Sequence, residues 1–99
     1  MKPYIRRIGT SDRCSIWLVD GFWVRNNVYI DFVEGGHGYV YPKFIPKNEI
    51  WIDQDVRVTE RKYVILHEVC ERRLMKQGAS YSVSHKRANE VETRARRRL

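Results

Sequence analysis

The stretch "TERKYVILHEVCERRLMKQG", Thr59 to Gly78, is where the chain changes character. From Glu60 to Gln77 it holds neither Gly nor Pro and consists mostly of good helix formers. Thr59 is suited to cap the start, and Gly78 stands where a helix stops. The pattern predicts a helix over 60–77. After "GAS", Tyr81 to about Arg97 forms a second helical segment with Ser80 as its cap. The connection is so short that the two helices must form a hairpin or a sharp corner.

Upstream of Thr59 the period is that of strands. "SIWLV" and "FWVR" flank Asp20-Gly21, and Asp-Gly tolerates the positive φ of a type I′ turn, which predicts a two-residue hairpin. Further strands are expected at "NVYIDFV", "YVYP" and "EIWID", separated by "EGGHG" and "KFIPKN". The expected architecture is α+β: an antiparallel sheet of about four or five strands in residues 1–58, packed on two helices in residues 59–99, in one domain.

The chain has 99 residues, near the size at which one core suffices, and its 42% hydrophobic and 12% aromatic content is too apolar for disorder. No apolar run approaches the roughly 18 residues of a membrane span, and "MKPYIRRIGTSDR" lacks the apolar segment of a secretion signal, so no membrane association and a cytoplasmic location are expected. Cys14 and Cys70 are far apart and form no C-x-x-C pair, so reduced thiols are expected. The net charge of +7 is uneven: 8 Lys/Arg stand against 7 Asp/Glu up to Val58, and 11 against 5 from Thr59 onward.

On the first helix, with Tyr63 set at zero, Leu66, Cys70 and Leu74 fall within roughly 60° of it, and Val64 and Met75 near about 100 to 120°. His67 and Glu71 land between these groups at about 40° and 80°, Glu68 borders the face at about 140°, and Arg72, Arg73 and Lys76 lie off it. On the second helix, Ala88, Val91 and Ala95 make a narrow apolar stripe beside Tyr81, with His85 and Glu92 close to it at about 40° and 20°. Each helix thus directs one His and one Glu inward. A buried carboxylate is costly unless it is paired or bound to a metal, so Glu71 requires a partner.

His67 and Glu71 are four apart, so their side chains stand one turn apart on one side of the helix and can converge on one ion. With His85 they supply three ligands. Glu68 beside them is placed to take a proton from an attacking water as general base. Glu92 is a candidate fourth ligand, or a carboxylate orienting His85 through its other ring nitrogen. Zn2+ is the expected ion, with Mn2+ or Fe2+ suited by the two carboxylates. The same residues also fit a metal-free ion-pair network among His85, Glu71 and Arg96.

The order "EIWID", a short turn, "TERKYVILHE" and a second helix bearing a late ligand resembles the core of zincin-type metallopeptidases, in particular small gluzincin-like domains, over about Asn48 to Glu92. It is also similar to small phage and prokaryotic proteins with an "LHE..ER" followed by a His and a Glu on the next helix. The resemblance implies His67 as first ligand, Glu68 as general base and a peptide or protein substrate. It further implies that "EIWID" is an edge strand along which an extended peptide adds; the plain alternative is a buried strand contributing Ile50 and Ile52 to the core. The chain departs from the family pattern in having H-E-x-x-E for H-E-x-x-H, with His85 where the next helix would carry Glu. Glu71 and His85 therefore rest on the wheel geometry alone.

A different function class fits the basic end of the chain. Lys86, Arg87, Arg94, Arg96, Arg97 and Arg98 make the last helix strongly cationic, and with the "QGAS" corner it has the form of a helix-turn-helix that contacts nucleic acid. A solvated helix end, where positive charge is favoured by the dipole, is the plain alternative, and Glu90 would repel phosphates. His37 in "GGHG" reads as a hairpin-turn residue, the alternative being a ligand that reaches a site from a mobile loop, since glycines permit close backbone approach. Ser80, Ser82 and Ser84 lack a nucleophile elbow and read as capping and surface residues.

Overall fold

The computed structural model describes residues 3–98. The elements run β1 (Tyr4–Ser11), β2 (Cys14–Val19), α1 (Gly21–Asn27), β3 (Gly35–His37), β4 (Glu49–Asp53), α2 (Val58–Lys76) and α3 (Tyr81–Arg96). The fold is α+β, as expected: one four-stranded sheet followed by the two long helices, with strand order β1-β2-β4-β3. No helix among the described residues is long and apolar enough to cross a membrane.

The sheet is not wholly antiparallel. β1 pairs with β2 and β3 with β4 antiparallel, but β2 and β4 run parallel, from Ser15 opposite Glu49 to Val19 opposite Asp53. A parallel pair needs a long crossover, and the chain supplies one between Val19 and Glu49 that covers the second face of the sheet. Two cores result. Ile16, Leu18, Ile50 and Ile52 face α2 and meet Val64 and Val69. Val19 and Trp51 face the crossover and meet Val24, Phe32 and Ile45. β4 is therefore buried on both faces and paired on both edges, with Ile50 to Asp53 all buried. The expectation of "EIWID" as an edge strand is overturned in favour of the buried-strand alternative, and the edge on that side is β3.

Four local expectations are corrected. Asp20-Gly21 is not a hairpin turn: the Asp20 carboxylate accepts a hydrogen bond from Trp23 N at 3.0 Å and caps α1, which absorbs "FWVR". Gly21 is needed because a Cβ there would collide with the Asp53 carboxylate. The two-residue hairpin lies instead at Asp12-Arg13, whose φ angles of 53° and 64° have the positive sign a type I′ turn demands, and it joins β2 to β1, a strand the sequence pattern had not suggested. "NVYIDFV" and "YVYP" are crossover loop rather than strand, with Phe32 driven fully into the second core while Ile30 and Val33 stay exposed.

The helices follow the pattern more closely. α2 begins at Val58 with Arg57 in the cap position, so Thr59 lies inside the helix. It ends in a Schellman motif: Gly78 takes φ 101°, its N–H donates to Met75 O, and Ala79 N donates to Leu74 O at 3.0 Å. Ser80 caps α3 by accepting from Val83 N at 3.2 Å. Arg72, expected off the buried face, is buried under the crossover. Its Nε and one terminal nitrogen donate to Lys47 O at 2.9 and 2.7 Å, and its guanidinium lies over the Tyr39 ring. The single-face wheel failed there because α2 is covered on a second side by the 39–47 loop.

Candidate metal centre

The helical hairpin sets α2 and α3 side by side, and β3 lies across α2 at the sheet edge. His67, Glu68 and Glu71 project from one turn of α2, all buried, while His85 enters from α3. His67 Nε2 stands 3.2 Å and His85 Nδ1 2.8 Å from the same oxygen, Oε2 of Glu71. The two rings meet edge to face at 5.0 Å. The three residues, expected together from the wheel geometry, each offer one ligand atom, and these atoms lie within 4.8 Å of one another.

What surrounds the three atoms determines how they are presented. His67 Nδ1 is 3.0 Å from Oε1 of Glu92. The other Glu92 oxygen accepts from Arg96 Nε at 3.0 Å, and Arg96 also donates to Glu60 at 2.8 Å. Glu92 thus stands behind His67 rather than beside His85, on the far side of the ring from Nε2. It orients His67 as a carboxylate orients a metal-bound histidine, and is not among the converging ligand atoms. Arg96, grouped by charge with the basic end of the chain, is instead taken up by these two carboxylates and also lies over the Tyr63 ring at 4.4 Å.

The residue that sequence reasoning missed is His37. It is fully buried on β3, and its Nε2 lies 2.9 Å from Oε1 of Glu71. Its Nδ1 accepts two backbone N–H groups, from Tyr39 at 3.2 Å and Val40 at 3.3 Å. An acceptor at Nδ1 puts the ring proton on Nε2, so His37 donates to Glu71 and has no lone pair to offer at that atom. This discriminates between the two groupings of potential ligands, His67-Glu71-His85 and His37-Glu68-Glu71. Only in the first can both rings turn a lone pair inward once the protons that bond them to Glu71 are displaced, with His67 carrying its proton on Nδ1 toward Glu92. The signal was present in "GGHG": a Cβ at Gly36 would strike the Tyr41 ring and one at Gly38 the Pro46 carbonyl, so the glycines press the His37 backbone into the interior.

The charge states follow from these contacts. Burial alone would raise the Glu71 carboxyl, but hydrogen bonds from His37, His67 and His85 outweigh it and hold Glu71 well below the usual carboxylate range. The hydrogen bond to Glu71 raises His67 against the opposing effect of burial, with the charges of Glu68, Glu71 and Glu92 adding to it. Glu68 makes no side-chain hydrogen bond among the described residues, and burial, then the Glu71 charge, push it from 4.5 up to about 8. A carboxyl that titrates near neutrality beside a cluster of ligand atoms has the properties of a general acid-base group.

The cluster opens into a cavity of about 410 Å³ whose charged lining is Glu34, Glu68, Glu71 and Glu92, with His67 and His85 and no Lys or Arg. A cation-attracting cavity in a chain of net charge +7 is a local inversion of the protein's charge. The donor set fits a divalent ion. Tetrahedral zinc with bonds of about 2.0 to 2.2 Å separates its ligand atoms by about 3.4 Å, so the spacings at Glu71 Oε2 need only a slight widening. The chain matches no protein-family model, no curated protein and no solved structure.

Of the residues grouped as a nucleic-acid surface, Lys86, Arg87 and Arg94 are exposed on α3, and Arg97 and Arg98 are exposed just past its end. Arg87 pairs with Glu90 at 3.6 Å. Lys86, Arg94 and Arg97 border a shallow groove together with Ser82, Asn89 and Glu90.

Proposed function

We propose that this protein is a minimal, zincin-like, metal-dependent hydrolase of peptide or other amide bonds, holding Zn2+, or alternatively Mn2+ or Fe2+, through His67, Glu71 and His85. One observation carries the reading. Nε2 of His67, Oε2 of Glu71 and Nδ1 of His85 converge, while the outward atoms of the first two, Nδ1 and Oε1, are already taken by Glu92 and His37. An ion that displaces the protons bonding the two rings to Oε2 of Glu71 would find three converging donor atoms. A bound divalent ion supplies Lewis-acid polarisation of the scissile carbonyl and acidifies water.

The chain's own groups do the rest. Glu68 holds or releases a proton in the cavity near neutral pH, which suits it to take one from the attacking water and return it to the leaving amine. His37 keeps Glu71 turned with Oε2 toward the two imidazoles, and the Glu60-Arg96-Glu92 chain keeps Nε2 of His67 in place. A cytoplasmic location is part of the proposal, and both cysteines are free thiols. The test is metal content by mass spectrometry on untagged protein. About one zinc per chain is expected; protein that stays metal-free after incubation with zinc would sink the hydrolase reading.

A second reading has its own observation: Lys86, Arg94 and Arg97 share one groove, free of ion-pair partners among the described residues. On this reading α3 contacts nucleic-acid phosphates. Replacing Arg94, Arg97 and Arg98 by Ala should then reduce the slope of log K against log salt by about 2 to 3. An unchanged slope counts against it. This reading leaves the buried cluster without a task, and for that reason stands second.

A further inference from the structure

The crossover that carries His37 also builds an aromatic groove directly beside the metal-binding cluster. The groove encloses about 740 Å³ between Val28, Tyr29, Val40, Tyr41, Phe44 and Tyr81. Val40, Tyr41 and Tyr81 are walls of both this groove and the acidic cavity, so the two lie side by side across these three side chains. Tyr81 is the partition: its ring stacks on His85 at 5.1 Å, and its hydroxyl lies 3.3 Å from the His85 Nδ1 that faces Glu71.

The wall is preorganised. The Tyr41 and Phe44 rings stack at 5.2 Å and 20°, with Tyr29 tilted against both. Tyr41 N donates to the His37 carbonyl at 3.1 Å, and Phe44 and Ile45 donate back to Tyr41 O, so the aromatic wall is tied to the residue that touches Glu71. Even so, Val28, Tyr29 and Tyr81 leave 40 to 48% of their surface in water. Rings held rigid and left exposed beside a reactive cluster are the lining of a ligand pocket.

We infer that this groove is a side-chain subsite that takes a large, uncharged apolar or aromatic residue of a peptide adjoining the bond presented to His67, Glu71 and His85. The inference rests on the hydrolase reading. Adjacency to the cavity supplies the occupant: a peptide whose amide reaches the cluster past Tyr81 has its neighbouring side chain at the groove. Charge narrows the class further. Lys43 is the one charged residue lining the groove, which disfavours a cationic side chain, and the Glu34, Glu71 and Glu92 carboxylates of the adjoining cavity disfavour an anionic one.

The test uses zinc-loaded protein and hydroxamates, which chelate the metal, titrated calorimetrically: acetohydroxamate, and blocked phenylalanine, alanine, lysine and glutamate hydroxamates. The phenylalanine probe is expected to bind about tenfold or more tightly than the alanine probe, and the charged probes no better than alanine. Tyr29→Ser should bring phenylalanine to within about threefold of alanine while leaving acetohydroxamate affinity and zinc content unchanged. Val28→Asp is the companion variant should Tyr29→Ser lose its native circular dichroism. Equal binding of the phenylalanine and alanine probes, with acetohydroxamate still bound, overturns the subsite alone. Failure of zinc and of every hydroxamate to bind overturns the hydrolase reading and the subsite with it. A dimer detected by sedimentation that Tyr29→Ser dissociates, with the probe ratio unmoved, assigns the groove to self-association and overturns the inference.

Discussion

His67→Ala is expected to purify without zinc under conditions that load the parent protein, and to bind added zinc about a thousandfold or more weakly. The change removes Nε2 from the three converging atoms and leaves Glu92 and Arg96 with no ring to orient. His37→Leu is the informative comparison. It leaves all three donor atoms in place and removes the N–H held on Oε1 of Glu71, along with the Nδ1 acceptor of the Tyr39 and Val40 N–H groups, so zinc should remain but bind about 10- to 100-fold more weakly. Zinc must also displace a proton from His67, which its carboxylate neighbours raise, so affinity in the parent should weaken as pH falls. Chelator-competition titrations measure all three effects. One full equivalent of zinc retained by His67→Ala would show that the ion, if any, sits elsewhere.

Glu68→Gln should separate chemistry from binding. Glu68 is not one of the converging ligand atoms, so the variant should keep its zinc, while hydrolysis of a peptide substrate falls about 10²- to 10⁴-fold, the usual contribution of a general acid-base group. The same variant has a signature that needs no substrate. In metal-free protein Glu68 binds its proton more tightly folded than unfolded, with a pKa of about 8 against 4.5. The folded state therefore holds more protons across that interval, and stability must fall as pH rises through it. At about 1.4 kcal/mol per unit the loss is a few kcal/mol between roughly pH 5 and 8. The raised His67 adds to this decline, because its stabilising proton is lost as pH passes its folded pKa. Glu71 acts in the opposite sense and at lower pH: its depressed carboxyl stabilises above the ordinary carboxylate range, and that contribution goes as pH falls. Urea midpoints measured from pH 5 to 8 should decline steeply in the metal-free parent and clearly less in Glu68→Gln. Identical pH profiles would mean that Glu68 does not carry the proton.

The helical half of the fold was legible because its signals are local. Ser80 and Gly78 act where they stand, through one hydrogen bond to Val83 N and one positive φ. The sheet was less legible because strand pairing is non-local. Ile50 to Ile52 and Ile16 to Val19 are short apolar runs without polar alternation, and that pattern was compatible with the parallel pairing these strands adopt. Asp20-Gly21 misled because the same dipeptide serves a hairpin and a helix cap. In the fold Asp20 caps α1 and Gly21 lies against the Asp53 carboxylate of β4, a contact that no local pattern carries.

The sequence by itself determined that His67, Glu68 and Glu71 share one side of a helix and that a second helix returns His85 and Glu92 toward them, since spacing on an α-helix is geometry. Only the tertiary structure decided that Glu92 stands behind His67, that β4 is central rather than an edge, and that His37 grips Glu71 from 34 residues away in the chain. The physical reason is that helical periodicity gives the direction in which a side chain leaves its own backbone. Which partner waits there depends on how separate elements pack, and no local pattern encodes the distance between them.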